Sequence, residues 1–417
     1  MVSFKSIVIS GQKLLFGILI LITPLLAVSG TNEVFEFPKM LFVYILGGAV
    51  ILLFLIGLLG GFYEFKIPPA IVLLFFLSVV VSFVFSTHKY TSLWGYYGRF
   101  NGGLVSYLIY FGLFWSAYTV LDIKYIFKVL IGGLVVTAIP ISVLGIAQHF
   151  GFGVPVLERV YSSFGQPNWL AAYLGLSGVF LVHRFLKDPY GRAHTLFSLI
   201  LALVLSCLWF TYSLSGLLAF FLGIAVLLIL NHRNYHWKRL SVLLMLIILL
   251  VVSRFDMFSL KIQDAFLDFS RENTVSNENI IFSHKLSDPG FIRLNLWKST
   301  VRLIFASPKN FFLGVGPECF PYEFPFFRLN ELNYSSEWDY ILNKPHNYYL
   351  ELIAESGVLS LVSYLGILGF GFLKRHPWAS GLLVIFLVTN FFSWPTVVLN
   401  LFFWFLLGGL LKYEKGY

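Results

Sequence analysis

Charge is scarce in this sequence. Of 417 residues, 12% are charged, about half of what a soluble globular domain carries. Cysteine is scarcer still, with only Cys207 inside an apolar run and Cys319 in a loop. That rules out a disulfide framework and a Cys-ligated metal cluster. There is no GxxxxGK[ST] loop, no HExxH and no CxxC, and the Gly-rich turns do not follow strands, so no soluble nucleotide or dinucleotide site is implied. No internal repeat of the kind many transporters show is visible. What fills the chain is apolar: 58% hydrophobic and 19% aromatic, with 46 Phe, a composition suited to lipid contact and interfacial belts. The net charge of +9 would suit nucleic acid. The basic residues fall in short turns between apolar runs, where the positive-inside rule expects them, and nucleic acid is set aside as a partner.

A bilayer core of about 30 Å needs about 20 apolar residues per helix. Spans are expected near 14–30, 38–60, 67–86, 103–121, 126–150, 168–186, 195–211, 213–230, 240–255, 347–373, 378–394 and 397–411. The pairs 195–230 and 378–411 could each be one kinked element. The fold class is therefore an all-α polytopic membrane protein with about 12 transmembrane helices and one large extracytoplasmic loop containing short amphipathic helices. The first apolar run lacks a clear small-residue cleavage site and is not read as a signal peptide. Lys and Arg are far more numerous in the short segments on one side of this topology than on the other, which holds Lys39, Lys89, Arg99 and Arg159. Both termini are then cytoplasmic. The expected organisation is an N-terminal bundle of about nine spans (1–255), the large extracytoplasmic loop (256–346) and about three C-terminal spans (347–417). Within the loop, Arg293, Trp297, Thr300 and Ile304 fall on one stripe of an amphipathic helix. The aromatic stretch 320–328 suggests a segment lying at the membrane interface.

Four patches face the side opposite the termini. They are Gly98–Gly103, which holds Arg99 and Asn101; Ser163–Tyr173, with Gln166 and Asn168; the loop helix with Arg293, Trp297 and Arg302, followed by Gly314-Val315-Gly316-Pro317-Glu318; and Pro345–Glu351. In the last, His346 and Gly357 are 11 residues apart, close to three helical turns, so they are expected on one helix face. Pro345 is a good first-turn residue. The positive end of the helix dipole disfavours imidazolium at His346. A neutral imidazole can accept a proton as a general base, or it can simply bond a loop carbonyl at the interface. Gly357 lets a neighbouring helix pack closely. The arginines can bind phosphate oxygens or can snorkel to the interface. Asn168 is expected to cap a helix, ahead of any sugar contact from it or from Gln166. Glu318, Glu351 and Glu355 are candidates for acid–base work or for holding His346, and Glu355 stands within an expected span, where a carboxylate is costly.

In this order, the four patches resemble the O-antigen ligase and O-antigen polymerase family of bacterial envelope glycosyltransferases. His346-Asn347, nine residues, then Gly357 is similar to that family's His-[Asn/Ser/Gln]-x9-Gly pattern. FGQPNWLAAYL resembles its Phe-Gly-Asn-Pro-Asn segment, GRFNGGL its Arg-bearing segment, and RLNLWKSTVRLIFASPKNFFLGVGPECF its loop helix and Gly-x-Gly-Pro turn. The resemblance implies a GT-C-like enzyme of the bacterial plasma membrane with an extracytoplasmic site. It would transfer a saccharide from a polyprenyl diphosphate to a hydroxyl of a glycan, lipid or protein acceptor, inverting the anomeric carbon, with no metal and no cofactor. Its implied site has His346 and Glu351 as catalytic groups, Arg99, Arg293 and Arg302 on the diphosphate, and Asn101, Gln166, Asn168, Trp297, Glu318 and Asn347 on the substrates. Phe320, Tyr322, Phe324, Phe326 and Phe327 would hold sugar or the prenyl chain. Where the family carries Ser-Arg-[Gly/Ala/Ser], this chain has Ser213-Leu214-Ser215. A transporter or flippase for lipid-linked saccharide, or an inactive relative that only binds it, are the alternatives.

Overall fold

The computed structural model describes residues 3–152, 159–253, 259–260, 262–263 and 289–414. Residues 264–288 of the long loop, and Lys415 among the expected cytoplasmic cations, lie outside the described residues. Among the described residues the chain is all-helical. Six helices are long and apolar enough to cross a membrane. Two of them, α1 (Phe4–Ile22) and α2 (Glu36–Leu59), open the chain. Shorter apolar helices follow, including α3 (Ala70–Val84) and, after a short helix α4 (Lys89–Trp94), α5 (Leu104–Val120). The long helices α6 (Ile123–His149), α7 (Pro167–Lys187), α8 (Arg192–Phe210) and α9 (Leu214–Asn231) complete the six. Then come α10 (Trp237–Ser253), the loop helices α11 (Pro289–Phe305), α12 (Pro308–Leu313) and α13 (Phe320–Glu323), and finally α14 (Tyr348–Ser356), α15 (Val358–Leu373), α16 (Ala379–Phe392) and α17 (Val397–Leu410).

The helix positions follow the apolar runs closely, the two kinked alternatives falling away, with two corrections. The first helix begins at Phe4 rather than near 14, because Ser3 accepts from the Ser6 N–H and caps it, and the polar residues Ser6, Ser10 and Gln12 fit into its turns. The 195–230 and 378–411 pairs are each two separate helices. The expected span 347–373 is broken at Gly357, whose φ of +80° no ordinary helix accepts.

That break positions the site. Ending a helix leaves its last carbonyls without partners. Here the Gly314–Gly316 turn supplies them: the Val315 N–H donates to Ala354 O at 2.9 Å and the Gly316 N–H to Glu355 O at 2.9 Å. Ser82 of α3 donates to the same Glu355 carbonyl at 2.6 Å. The approach is backbone on backbone. A Cβ on Gly357 would sit 2.0 Å from Phe312 O, and one on Gly314 would sit 2.2 Å from Glu355 O. Gly357 therefore meets a loop helix terminus, and the shared helix face expected for it and His346 does not exist. Gly357→Ala combines a left-handed φ with that clash and is expected to cost about 3 kcal/mol, to be read as a lowered Tm in detergent.

One large core runs from Phe16 of α1 to Leu410 of α17. A smaller one joins Leu296 and Leu303 of α11, Phe320, Phe324 and Ala354. Phe320 and Phe324 stack at 4.8 Å inside it, and Tyr322 stacks on His88 at 4.0 Å. The aromatic stretch is thus mostly a core of the loop, with Phe326 exposed, and Phe320 and Phe324 are packed inside it rather than free to hold sugar or a prenyl chain. Both cysteines are free and buried.

Candidate functional site

The connecting segments at one end of the bundle meet around a tryptophan that the sequence did not single out. Trp394 lies in the short turn between α16 and α17. The Arg99 guanidinium stands 5.3 Å from its ring and 5.7 Å from that of Trp169. The two indoles meet edge to face at 5.5 Å, and His346 packs on Trp394 at 4.9 Å. Cation–π contact of this kind holds a guanidinium without consuming its N–H donors. The turn itself is tied down by the Tyr348 N–H donating to Ser393 O at 3.0 Å and by Trp169 Nε1 donating to Ser393 Oγ at 3.3 Å.

His346 is half-buried with φ +53°. It precedes α14 rather than opening it. Asn347 is the N-cap, its Oδ1 accepting from the N–H groups of Tyr349 at 3.0 Å and Leu350 at 3.1 Å. Pro345 therefore lies before the helix and not in its first turn. The loop helix reaches the same place. Trp297 Nε1 donates to Pro345 O at 3.0 Å. Burial, then Arg293, then Arg99 pull His346 down to about 3. Both guanidiniums therefore act on one neutral imidazole. Burial lowers Arg293 itself, with Glu337 acting the other way, but a guanidinium stays charged. Arg99 and His346 thus pack on one indole, and Arg293 is near enough to act on the same imidazole. Arg302, more than two turns along α11, is exposed and joins none of them.

Beside this lies a buried ionic cluster. Lys344 Nζ sits 2.6 Å from Glu318 Oε1, 2.6 Å from Glu351 Oε1 and 3.7 Å from Glu355 Oε2. All four side chains are nearly inaccessible. Glu351 and Glu355 meet Lys344 together because they are one turn apart on α14. Glu355 is further held by the Glu318 N–H at 2.9 Å and the Phe320 N–H at 3.4 Å. Burial opposes the Lys344 ammonium, but the three carboxylates outweigh it and hold Lys344 well above its ordinary range. The carboxylate oxygens lie within 4.8 Å of one another, a metal-like spacing. The ammonium already stands among them, so this donor set fits a lysine rather than a divalent cation. Gly102 is needed nearby, since a Cβ there would lie 1.8 Å from Glu318 Oε1.

A small cavity of about 30 Å³ opens between these parts. Arg99, Asn101, Glu318, Glu351, Trp394 and Glu36 are among its walls. Glu36 begins α2, and its Oε2 accepts from the Val397 N–H at 2.8 Å.

Asn168 does not cap α7. The N-cap is Gln166, without a side-chain bond, and Pro167 opens the helix. Asn168 Oδ1 instead accepts from Arg159 Nη2 at 2.9 Å and Ser213 Oγ at 2.8 Å. Arg159 Nε also donates to Thr211 O at 2.9 Å. A guanidinium thus stands at the N-terminus of α9, where the sequence has Leu214 in the place of an expected Arg. Sequence reasoning missed Trp394, Lys344 and Glu36. Each carried a faint signal: Ser-Trp-Pro between two apolar runs, a lysine just ahead of Pro345-His346, and a lone acid opening a span.

Residues 199–365 match a family model described as O-antigen ligase. No curated protein matches the chain. The matched stretch contains Arg293, Glu318, Lys344, His346 and Glu351, while Glu36, Arg99, Trp169 and Trp394 lie outside it.

Proposed function

We propose, from the match of residues 199–365 to the O-antigen ligase family model, that this chain is a multi-pass glycosyltransferase of the bacterial plasma membrane. It moves a saccharide from a polyprenyl diphosphate to an acceptor hydroxyl on the extracytoplasmic side, with both termini cytoplasmic. The observation that carries this reading is that Arg99 and His346 share Trp394, with Arg293 acting electrostatically on the same imidazole. The acceptor oxygen attacks the anomeric carbon. The bond from that carbon to the diphosphate oxygen breaks, the electron pair leaves with the diphosphate, and the configuration inverts. Arg99 and Arg293 neutralise the charge developing on the leaving group, the task a metal ion performs elsewhere. His346 takes the acceptor's proton. Bound diphosphate offsets the two guanidiniums that hold His346 neutral in the free protein, so the donor itself prepares the base. Glu351 and Glu318, fixed by Lys344, line the space beside Arg99.

The test is transfer itself. Purified protein in liposomes is given a polyprenyl-diphosphate saccharide, candidate acceptors and EDTA, and product is followed by mass. Product formation with EDTA present is the expected result. Donor that binds but is never transferred to any acceptor would overturn the reading.

A further inference from the structure

Among the described residues the Arg99 guanidinium makes no hydrogen bond and no ion pair, although Glu36, Glu318 and Glu351 line the same cavity. Its contacts are two indoles, Trp394 at 5.3 Å and Trp169 at 5.7 Å. It is half-buried, and none of its nitrogens is sealed from solvent. The His346 imidazole is placed in a similar way. It makes no hydrogen bond among the described residues and packs edge to face on Trp394, with the ring planes at 63°. What the two groups have in common is therefore one ring, and the chain holds that ring firmly. Trp394 precedes Pro395, and a residue before proline is kept out of the helical region. Ser393, on its other side, is bonded twice, by the Tyr348 N–H and by Trp169 Nε1. Just beyond Pro395, Thr396 Oγ1 accepts from the Leu399 N–H at 3.3 Å and caps α17. An arginine side chain has many rotamers to lose, so a guanidinium without a wall would scatter. A ring face restrains it and leaves every N–H for a ligand, whereas a carboxylate in that place would take those donors.

We propose that Trp394 is a positioning residue for both halves of the reaction: it holds Arg99 with its donors free for the diphosphate, and it holds His346 at a fixed spacing from Arg99 as the base. The inference rests on the glycosyl-transfer reading above and deepens it, by naming the group that sets the spacing between the ligand of the leaving group and the proton acceptor. Trp394 acts through Arg99 and His346 and not on the reacting atoms.

The experiment is a pair of double-mutant cycles. Trp394→Leu removes the ring, and Trp394→Phe keeps a smaller one. Binding of inorganic pyrophosphate to the protein in detergent reads the first half and needs no catalysis. Trp394→Leu should weaken it about tenfold, the scale of a desolvated cation–π contact. Once Arg99→Gln has removed the guanidinium, the same change should cost about twofold or less. Transfer reads the second half. At saturating lipid-linked donor, Trp394→Leu should lower kcat about tenfold on wild type and about threefold or less on His346→Ala. Trp394→Phe should recover most of both losses. Trp394→Met, which keeps bulk without a ring, carries the same cycles if the leucine variant does not fold. A merely structural role gives equal losses on every background. Equal losses would overturn the proposal, as would a folded Trp394→Leu protein that binds pyrophosphate and turns over like wild type. Coupling to Arg99 in pyrophosphate binding, with no transfer from any donor, would uphold the holding of Arg99 and sink the transfer reading. Transfer without coupling of Trp394 to either partner would do the reverse.

Discussion

Lys344→Met will cost the protein about 3–5 kcal/mol, the range for breaking a buried ion pair from one side. The side chain is 5% exposed and touches two carboxylates at 2.6 Å. Methionine matches its length but removes the charge that keeps Glu318, Glu351 and Glu355 together. Three carboxylates within 4.8 Å of one another would then face each other in a site that water cannot reach. Such groups can remain only by taking up protons, so their folded-state pKa values must rise above those in the unfolded chain. A raised value makes stability greatest at low pH and removes it as pH rises. Lys344→Met should therefore be closest to wild type in acid and worst at alkaline pH. Adding Glu318→Gln, Glu351→Gln and Glu355→Gln to Lys344→Met should restore much of the loss, since replacing a whole buried ionic group is far cheaper than halving it. Thermal unfolding in detergent across pH measures all of this. A single variant as stable as wild type at high pH would mean that the cluster is not held by its lysine.

The cluster also marks where reading the sequence stops. Apolar runs of bilayer length located the helices, because that signal is local and strong. The loop helix itself was legible, but its core is formed by Ile292, Leu296 and Leu303, beside the expected stripe of which Arg293 and Trp297 are only half-buried. Glu351 and Glu355 could be paired from their spacing. What could not be read was a chain break inside an apolar run. Gly357 looks like a small residue within a span, and only its φ and the Phe312 carbonyl beneath it show why nothing larger fits. Without the break, the partners of the Gly314–Gly316 turn were invisible, and His346 was placed on a helix it only precedes. Glu36 and Trp394 were out of reach for a related reason. They come from opposite ends of the chain, and it is the packing of α2, α5 and α17 that sets them beside Arg99.

His346→Ala is expected to lower kcat by about 10²–10⁴-fold, the usual contribution of a positioned acid or base, while donor binding through Arg99 and Arg293 persists. The pH dependence carries the sharper argument. In the free protein, protonating His346 would add a third positive charge beside Arg293 and Arg99 in a poorly solvated place, and its pKa accordingly lies near 3, against about 6.5 for a free imidazole. An unfolded chain takes that proton near 6.5 and the folded one does not. His346 therefore contributes stability above that pH and loses it progressively as pH falls toward 3. For activity, kcat/KM reports the free enzyme and kcat the complex. The limb of kcat/KM due to His346 should then lie far into acid, so that the profile is flat through pH 5–8. Bound diphosphate places negative charge between the guanidiniums and the imidazole, so the corresponding limb of kcat should appear at higher pH. Arg293→Gln should move the free-enzyme limb upward even as it weakens donor binding. Coincident limbs in the two profiles, or a His346→Ala enzyme that turns over at the wild-type rate, would take the proton away from His346. The base would then have to be sought among the carboxylates lining the cavity, with Glu351 the first to replace.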